Sequence, residues 1–258
     1  MTMNFFPFSR PADSSAIVRG LALIVLVSLG SITPAAAATL DEFKCGVLNP
    51  PGQYGPFDYR TATGEQKYLV EVAHFSKENE LLIRGTSQIR PGPDIDYTLR
   101  AFPNHPRALK SMMELHFRDK IDPPTMMRYT AECWFNRAIR FTPDDAQVRL
   151  VYGIYLLRKG EKKAAVEQLE TARAGGLASA NFQYNLGLAY FQAGDFEKAR
   201  AQAYKAKEMG YELDGLKNLL AKAGQWREPP PSAPKPAEET AAPKAEESTA
   251  QQSTAPKN

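Results

Sequence analysis

The sequence predicts an all-α protein in which pairs of antiparallel helices stack into a solenoid. A spacing of about 34 residues holds at several positions at once, and such a fixed period is typical of repeat architectures. The recurring pairs are Gly153 and Gly187, Ala165 and Ala199, and Ala172 and Ala206. Glycine and alanine allow two helices to cross closely, and larger apolar side chains fill the space between them.

Two further glycines predict where the first helix of each pair ends. Gly160 and Gly194 are also separated by one repeat period, and each lies in a short polar stretch after an apolar segment. A helix commonly ends at a residue in the left-handed conformation, which glycine adopts at little steric cost.

The two clearest copies of the repeat cover residues 146–179 and 180–213. In the second copy, Leu186-Gly187 is followed three residues later by Tyr190, and Ala199 and Ala206 come next. A third copy keeps mainly its second helix, with Ala131, Phe135, Ala138 and Pro143 in register. Its first helix is expected at about residues 106–117, before an insertion around RDKIDPP. This pattern resembles the tetratricopeptide repeat, although Leu177 and Tyr211 stand where proline is usual.

The resemblance implies an α-solenoid of tetratricopeptide helix hairpins. About three helix pairs would occupy residues 104–213, with Asn104 capping the first helix. The segments YGPFDYR, DYTLRAFPNHPRAL and YGIYL also resemble a group of exported proteobacterial tetratricopeptide proteins of unknown role. That second resemblance covers most of the chain after residue 38 but implies no activity.

Residues 1–38 have the features of a secretory signal sequence. Arg10 and Arg19 supply positive charge, residues 21–32 form an uncharged apolar run, and Ala36-Ala37-Ala38 gives a small-residue cleavage site. The run is short for a membrane span, so a cleaved signal and a periplasmic chain without stable membrane insertion are expected. An uncleaved anchor is the alternative.

Cysteine usage agrees with export. Cys45 and Cys133 are the only two cysteines, and an even number in an exported chain favours a disulfide. The alternative is two unpaired thiols, with Cys133 serving as a small core residue.

The segments on either side of the repeats are expected to differ in character. Residues 39–103 read as an irregular and partly helical N-terminal cap, in which Tyr54, Phe57 and Tyr59 either shield the end of the solenoid or form a contact patch. Residues 214–226 predict a capping helix with Leu216, Leu219 and Leu220 on one face. Residues 227–258, rich in Pro, Ala, Glu and Lys, predict a disordered tail.

The resemblance places a partner-binding groove on the first helices of the repeats. The matching positions are Gln147, Leu150, Val151, Ile154, Leu157, Arg158, Asn181, Tyr184, Asn185, Leu188, Phe191 and Gln192. Apolar residues stand where a clamp for a terminal carboxylate would need Lys and Asn. A helix or an extended apolar peptide is therefore the expected ligand. The alternative is that the N-terminal section or the capping helix covers some of these residues.

The expected function is non-catalytic binding of a protein or peptide, with self-association as a further possibility. A stable structural subunit of a cell-envelope assembly is the second hypothesis. A metal-dependent enzyme is a remote third, because His105 and His116 are expected to be partly exposed polar residues. No cofactor or metal is expected. The net charge of +3, with no basic stripe interleaved with aromatics, gives no indication of nucleic-acid binding.

Overall fold

The helices and the absence of strands in the described part of the chain confirm that part of the prediction that says the protein is all-α. A computed structural model describes residues 44–212 and 214–228, and this part contains ten helices and no strand. The helices are α1 (Gly64–His74), α2 (Lys77–Glu80), α3 (Gly92–Ala101), α4 (Pro106–Asp119), α5 (Ala131–Phe141), α6 (Ala146–Lys159), α7 (Lys162–Ala174), α8 (Ala180–Ala193), α9 (Phe196–Glu208) and α10 (Gly215–Lys222).

Some of the sequence predictions fall outside the described residues. The chain divides into two units, Met1–Ala37 and Ala38–Asn258, and every described residue belongs to the second. The predicted signal sequence and all of the predicted tail after residue 228 therefore lie outside the described part. None of the described helices has the length and apolarity that crossing a membrane requires.

The first helices of the two clearest repeats begin and end at the residue types that helix termini favour. The side chain of Asp145 caps α6, and that of Ser179 caps α8, by accepting hydrogen bonds from backbone N–H groups of the first turn. Each helix ends at a left-handed glycine, with φ 84° at Gly160 and φ 85° at Gly194. The short loops that follow lead directly into α7 and α9.

Close helix crossings occur at the repeated glycines. Helix α6 packs against α7, and α8 packs against α9 and α10. A Cβ atom at Gly153 would lie 2.6 Å from Cγ of Leu169, and one at Gly187 would lie 2.4 Å from Cδ2 of Leu216. Only a residue without a side chain fits at either crossing. One continuous cluster of buried apolar side chains has members from α3 through α10.

The N-terminal helices carry a second, smaller apolar cluster. Phe102, at the end of α3, is fully buried, and the rings of Phe57 and Tyr59 lie 6.0 and 5.6 Å from its ring. Tyr54 contacts Phe57 at a ring separation of 5.0 Å but remains 39% exposed. The aromatic residues of this loop therefore cover the end of α3, and Tyr54 lies at the edge of the cluster.

Asn104 is not the N-cap of α4, so that prediction is wrong. His105 caps the helix, because its Nδ1 accepts a hydrogen bond from the Ala108 N–H at 3.2 Å. The amide of Asn104 is fully buried and donates to Asp58 Oδ1 at 2.7 Å and to Asp145 Oδ2 at 2.9 Å. Its Oδ1 accepts from the Tyr59 N–H at 2.9 Å. Asn104 thus joins the N-terminal loop to the cap of α6.

The predicted disulfide is present. Cys45 and Cys133 are bonded, with their Cα atoms 5.0 Å apart and a separation of 88 positions in sequence. A loop of that length corresponds to a stabilisation of about 4–5 kcal/mol on the chain-entropy view. Nη1 of the buried Arg137 also donates to the carbonyl oxygens of Cys45 and Val47, at 2.8 and 2.9 Å. The N-terminal loop is therefore tied to α5 by a covalent bond and by charge-assisted hydrogen bonds.

Helix α10 buries a narrower face than the sequence suggested. Leu216 and Leu220 are fully buried, but Leu219 is 41% exposed, so the prediction that all three share the packed face is wrong for Leu219. The eight-residue helix contacts α8 and α9 through a stripe of side chains four residues apart, and Leu219 lies at the outer edge of that stripe.

The crossing of α6 and α7 is expected to tolerate no side chain at Gly153. Gly153→Val should lower the free energy of unfolding by about 1–3 kcal/mol, because the added atoms overlap Leu169 in a filled core. Valine and glycine differ modestly in helix propensity. Gly64→Val is the control, since nothing lies within 4 Å of a Cβ atom there. Urea unfolding measures both variants, and equal stability of the two would contradict the account.

Candidate functional site

A groove of about 410 Å³ runs across α4, α6 and α8. Helix α6 contacts both α4 and α8. The groove is lined by Pro106, Arg107, Lys110, Met113, Glu114, Gln147, Leu150, Val151, Ile154, Asn181 and Asn185. Its surface combines aliphatic side chains with amides and a small number of charges.

Equivalent positions of the three helices supply the polar part of the groove. Helices α4, α6 and α8 begin at Pro106, Ala146 and Ala180. The second residue of each helix lines the groove, and these residues are Arg107, Gln147 and Asn181. The repeat therefore places one polar side chain from each helix along the same edge.

The structure brings together part of the predicted groove. The predicted residues that line it are Gln147, Leu150, Val151, Ile154, Asn181 and Asn185. The predicted residues that do not line it are Leu157, Arg158, Tyr184, Leu188, Phe191 and Gln192. The groove thus involves the first nine residues of α6 and the first six of α8, and not their C-terminal turns.

Three of the other predicted residues have clear structural surroundings. Leu157 is buried in the main core. The guanidinium of Arg158 lies 4.0 Å from the centre of the Phe117 ring and donates to Glu114 at 2.8 Å, which bridges α6 to α4. Tyr184 stacks on Tyr211 at 4.4 Å and faces a separate small hollow beside α10.

Leu188 and Phe191 are half-buried and pack against the main core. The Phe191 ring also contacts that of Phe196, at the start of α9, with the ring centres 5.6 Å apart. Gln192 is exposed.

Helix α4 contributes groove residues that the sequence prediction missed. Arg107, Lys110, Met113 and Glu114 line the groove, although no predicted position lay on this helix. The starts of α4 and α6 are separated by more than one repeat period, because the loop between α4 and α5 lengthens the repeat. The helix itself was expected at about residues 106–117, but the insertion that follows it left no clear repeat register from which to assign groove positions.

The amides of the groove have unused hydrogen-bonding groups. Nδ2 of Asn185 donates to the carbonyl oxygen of Asn181 at 2.8 Å and to Asn181 Oδ1 at 3.2 Å. Within residues 44–212 and 214–228, neither Nδ2 of Asn181 nor the side chain of Gln147 has a hydrogen-bond partner. These donors and acceptors can bind the main chain of a peptide.

The histidines do not form a common site. His105 is fully buried, so the expectation that it is partly exposed is wrong. Because its Nδ1 accepts from the backbone, its Nε2 carries the proton and donates to Glu71 at 3.2 Å. His116 instead donates from Nδ1 to the carbonyl oxygen of Ile121 at 3.1 Å. In the described part of the chain, no group of three His, Cys, Asp or Glu side chains is arranged to hold a metal ion.

Glu71 stands at the centre of a partly buried polar cluster beside α4. It accepts hydrogen bonds from Tyr59 Oη at 2.7 Å and from His105, and Arg107 lies 3.3 Å away. The hydrogen bond from His105 is the main cause that lowers the pKa of Glu71 to about 2. Burial holds the pKa of His105 below its usual value of 6.5.

A second hollow lies between α1 and α3. It has a volume of about 250 Å³ and is lined by Tyr54, Leu69, Val70, Ala73, His74 and Tyr97. Tyr68 and Val72, on the same helix as Leu69, are also exposed. Tyr54 is thus the residue of the aromatic loop that remains accessible to a partner.

Comparison with known proteins places the chain in no family. No protein-family model matches it, and a search of curated proteins finds no relative.

The buried His105 predicts a pH-dependent stability. Below pH 6.5 the unfolded chain takes up a proton at this histidine and the folded chain does not. The free energy of unfolding should therefore decrease as the pH falls, by at most about 1.4 kcal/mol per pH unit. Glu71 contributes only at lower pH, because its pKa rises from about 2 to about 4.5 on unfolding.

Denaturant unfolding at several pH values between 7 and 5 measures how the free energy of unfolding changes with pH. His105→Asn, which keeps a helix-capping side chain, should reduce the dependence of the free energy of unfolding on pH. If the free energy of unfolding of the His105 variant depends on pH as strongly as that of the unaltered chain, this histidine does not cause the pH dependence.

Proposed function

We propose that this chain is a tetratricopeptide-type helical array that binds a segment of another protein in the groove across α4, α6 and α8, without catalysing a reaction. The observation that carries the proposal is the composition of the groove, in which an aliphatic floor lies beside amides that keep hydrogen-bonding groups without a partner among the described residues. The recurrence of Gly153 and Gly187 at the repeat period, each at a close helix crossing, supports the assignment to this class of array.

The chemistry of the groove suits an extended peptide. The half-buried Ile154 offers an aliphatic contact, and the buried Met113 and Leu150 form the floor beside it. The side chains of Gln147 and Asn181 offer both donors and acceptors. An extended segment presents main-chain amides that need hydrogen-bond partners and side chains that need apolar surface. The groove volume of about 410 Å³ lies within the roughly 300–1,000 Å³ of typical ligand clefts.

We infer that this binding takes place in the periplasm. The disulfide between Cys45 and Cys133 supports this location, because disulfides persist in oxidising compartments. The positively charged start, apolar run and Ala36-Ala37-Ala38 site of the sequence support export by a cleaved signal.

The export proposal predicts a defined mature N-terminus. Intact-mass measurement of the chain purified from a cell-envelope fraction should give the mass of residues 39–258, less two hydrogen atoms for the disulfide. The mass of the full sequence, with the chain in the membrane fraction, would instead indicate a retained anchor.

Photo-crosslinking in living cells tests the groove. A photoreactive residue at Ile154, and separately at Asn185, should each capture the same partner, because both side chains line the groove. Lys163, exposed on α7 and outside the groove, is the control. The captured band would be identified by mass spectrometry.

Three outcomes of this experiment would contradict the proposal. Equal capture at Lys163 would show that the contact is not specific to the groove. No capture at either groove position in folded, exported protein would show that the groove is unused. Capture only of the chain itself would indicate self-association in place of partner binding.

A further inference from the structure

The charges of the groove are unevenly paired. Glu114 is bound by Arg158 at 2.8 Å, and Arg107 lies 3.3 Å from Glu71 and 3.1 Å from Glu80. Lys110, by contrast, has no hydrogen-bond or ion-pair partner among the described residues. It is exposed and lines the groove at its α4 end. Lys110 is therefore a cation without a described partner at one end of the groove, whereas the other charged groups that line the groove, Arg107 and Glu114, are paired.

The surroundings of Lys110 leave its ammonium group available to a ligand. Glu114, one turn further along α4, is turned towards Arg158. Glu80 likewise accepts from Arg107 and from Lys77. The charged side chains that line the groove are Arg107, Lys110 and Glu114, which sum to +1. Coulomb attraction therefore favours a negative group at this end and disfavours a positive one.

The aliphatic side chains nearest to Lys110 in the repeat pattern lie on α6. Leu150 on α6 occupies the position that Lys110 occupies on α4, the fifth residue of its helix, and Ile154 lies one turn further. Packed helix axes are about 8–10 Å apart, and an extended chain advances about 3.3 Å per residue. One step from α4 to α6 thus corresponds to two or three residues of an extended ligand.

We propose that the occupant of the groove is an extended protein segment with an acidic side chain paired to Lys110 and an aliphatic side chain, two or three positions away, packed on Leu150 and Ile154. This inference rests on the proposed function and adds the chemical class of the partner. The amides of Gln147 and Asn181 bind its main chain. Lys110 sets the orientation of the segment, because the acidic side chain lies at α4 and the aliphatic one at α6.

Selection from a library of random ten-residue peptides displayed on phage tests the inference with the purified, disulfide-bonded chain. The selected peptides should be enriched in Glu or Asp at one position, with Leu, Ile or Val two or three positions away. With Lys110→Glu as the target, the enrichment should change to Lys or Arg. Lys162→Glu, a charge reversal at an exposed lysine of α7, is the control, and peptides selected on it should show the same enrichment as those selected on the unaltered chain.

Affinity measurements on the best selected peptide provide a second readout. Lys110→Met keeps the aliphatic stem and removes the charge, so the dissociation constant should rise by about two- to fivefold, as for other exposed ion pairs. The increase should become smaller at high salt. Circular dichroism checks that each variant remains folded.

The outcomes separate this inference from the function on which it rests. Peptides that bind in the groove without acidic enrichment, or with the same enrichment on Lys110→Glu, would overturn the acidic-aliphatic assignment alone. Selection that is unaffected by Ile154→Glu, at the floor of the groove, would overturn the groove as the binding site. That second result would remove both proposals.

Discussion

The close crossing of helices at glycine is the constraint on which the arrangement of the helices depends. At Gly153 and Gly187 there is no room for a Cβ atom, because Leu169 and Leu216 occupy that space. Helix α7 can therefore lie directly against α6, and α10 directly against α8. Other positions around α6 and α8 line the groove.

Helix α4 joins this arrangement through polar contacts as well as apolar ones. Asn104 links the N-terminal loop to Asp145, the cap of α6, and His105 caps α4 while donating to Glu71. Buried polar groups are costly unless their hydrogen bonds are formed, so these contacts favour one relative placement of the loop and the two helix starts. That placement brings the first turns of α4 and α6 to the same groove.

Local sequence features predicted much of the fold, but they predicted only some of the residues that line the groove. The repeat period, the glycines at positions 160 and 194 and the two cysteines led to the helix ends and the disulfide that the structure has. The contribution of α4 to the groove was missed because the long loop between α4 and α5 interrupts the spacing of about 34 residues. The roles of Asn104 and His105 depend on partners that are distant in sequence, which no local pattern reveals.

Hydrogen–deuterium exchange with a bound partner segment would test the central claim, that α4, α6 and α8 form one binding surface, most directly. The account predicts slower amide exchange in the first turns of these three helices when the segment identified by crosslinking is added. Exchange in α7 and α9 should remain unchanged, because neither helix lines the groove. Protection confined to α1 and α3, around Tyr54 and Leu69, would contradict the claim and place binding at the N-terminal hollow.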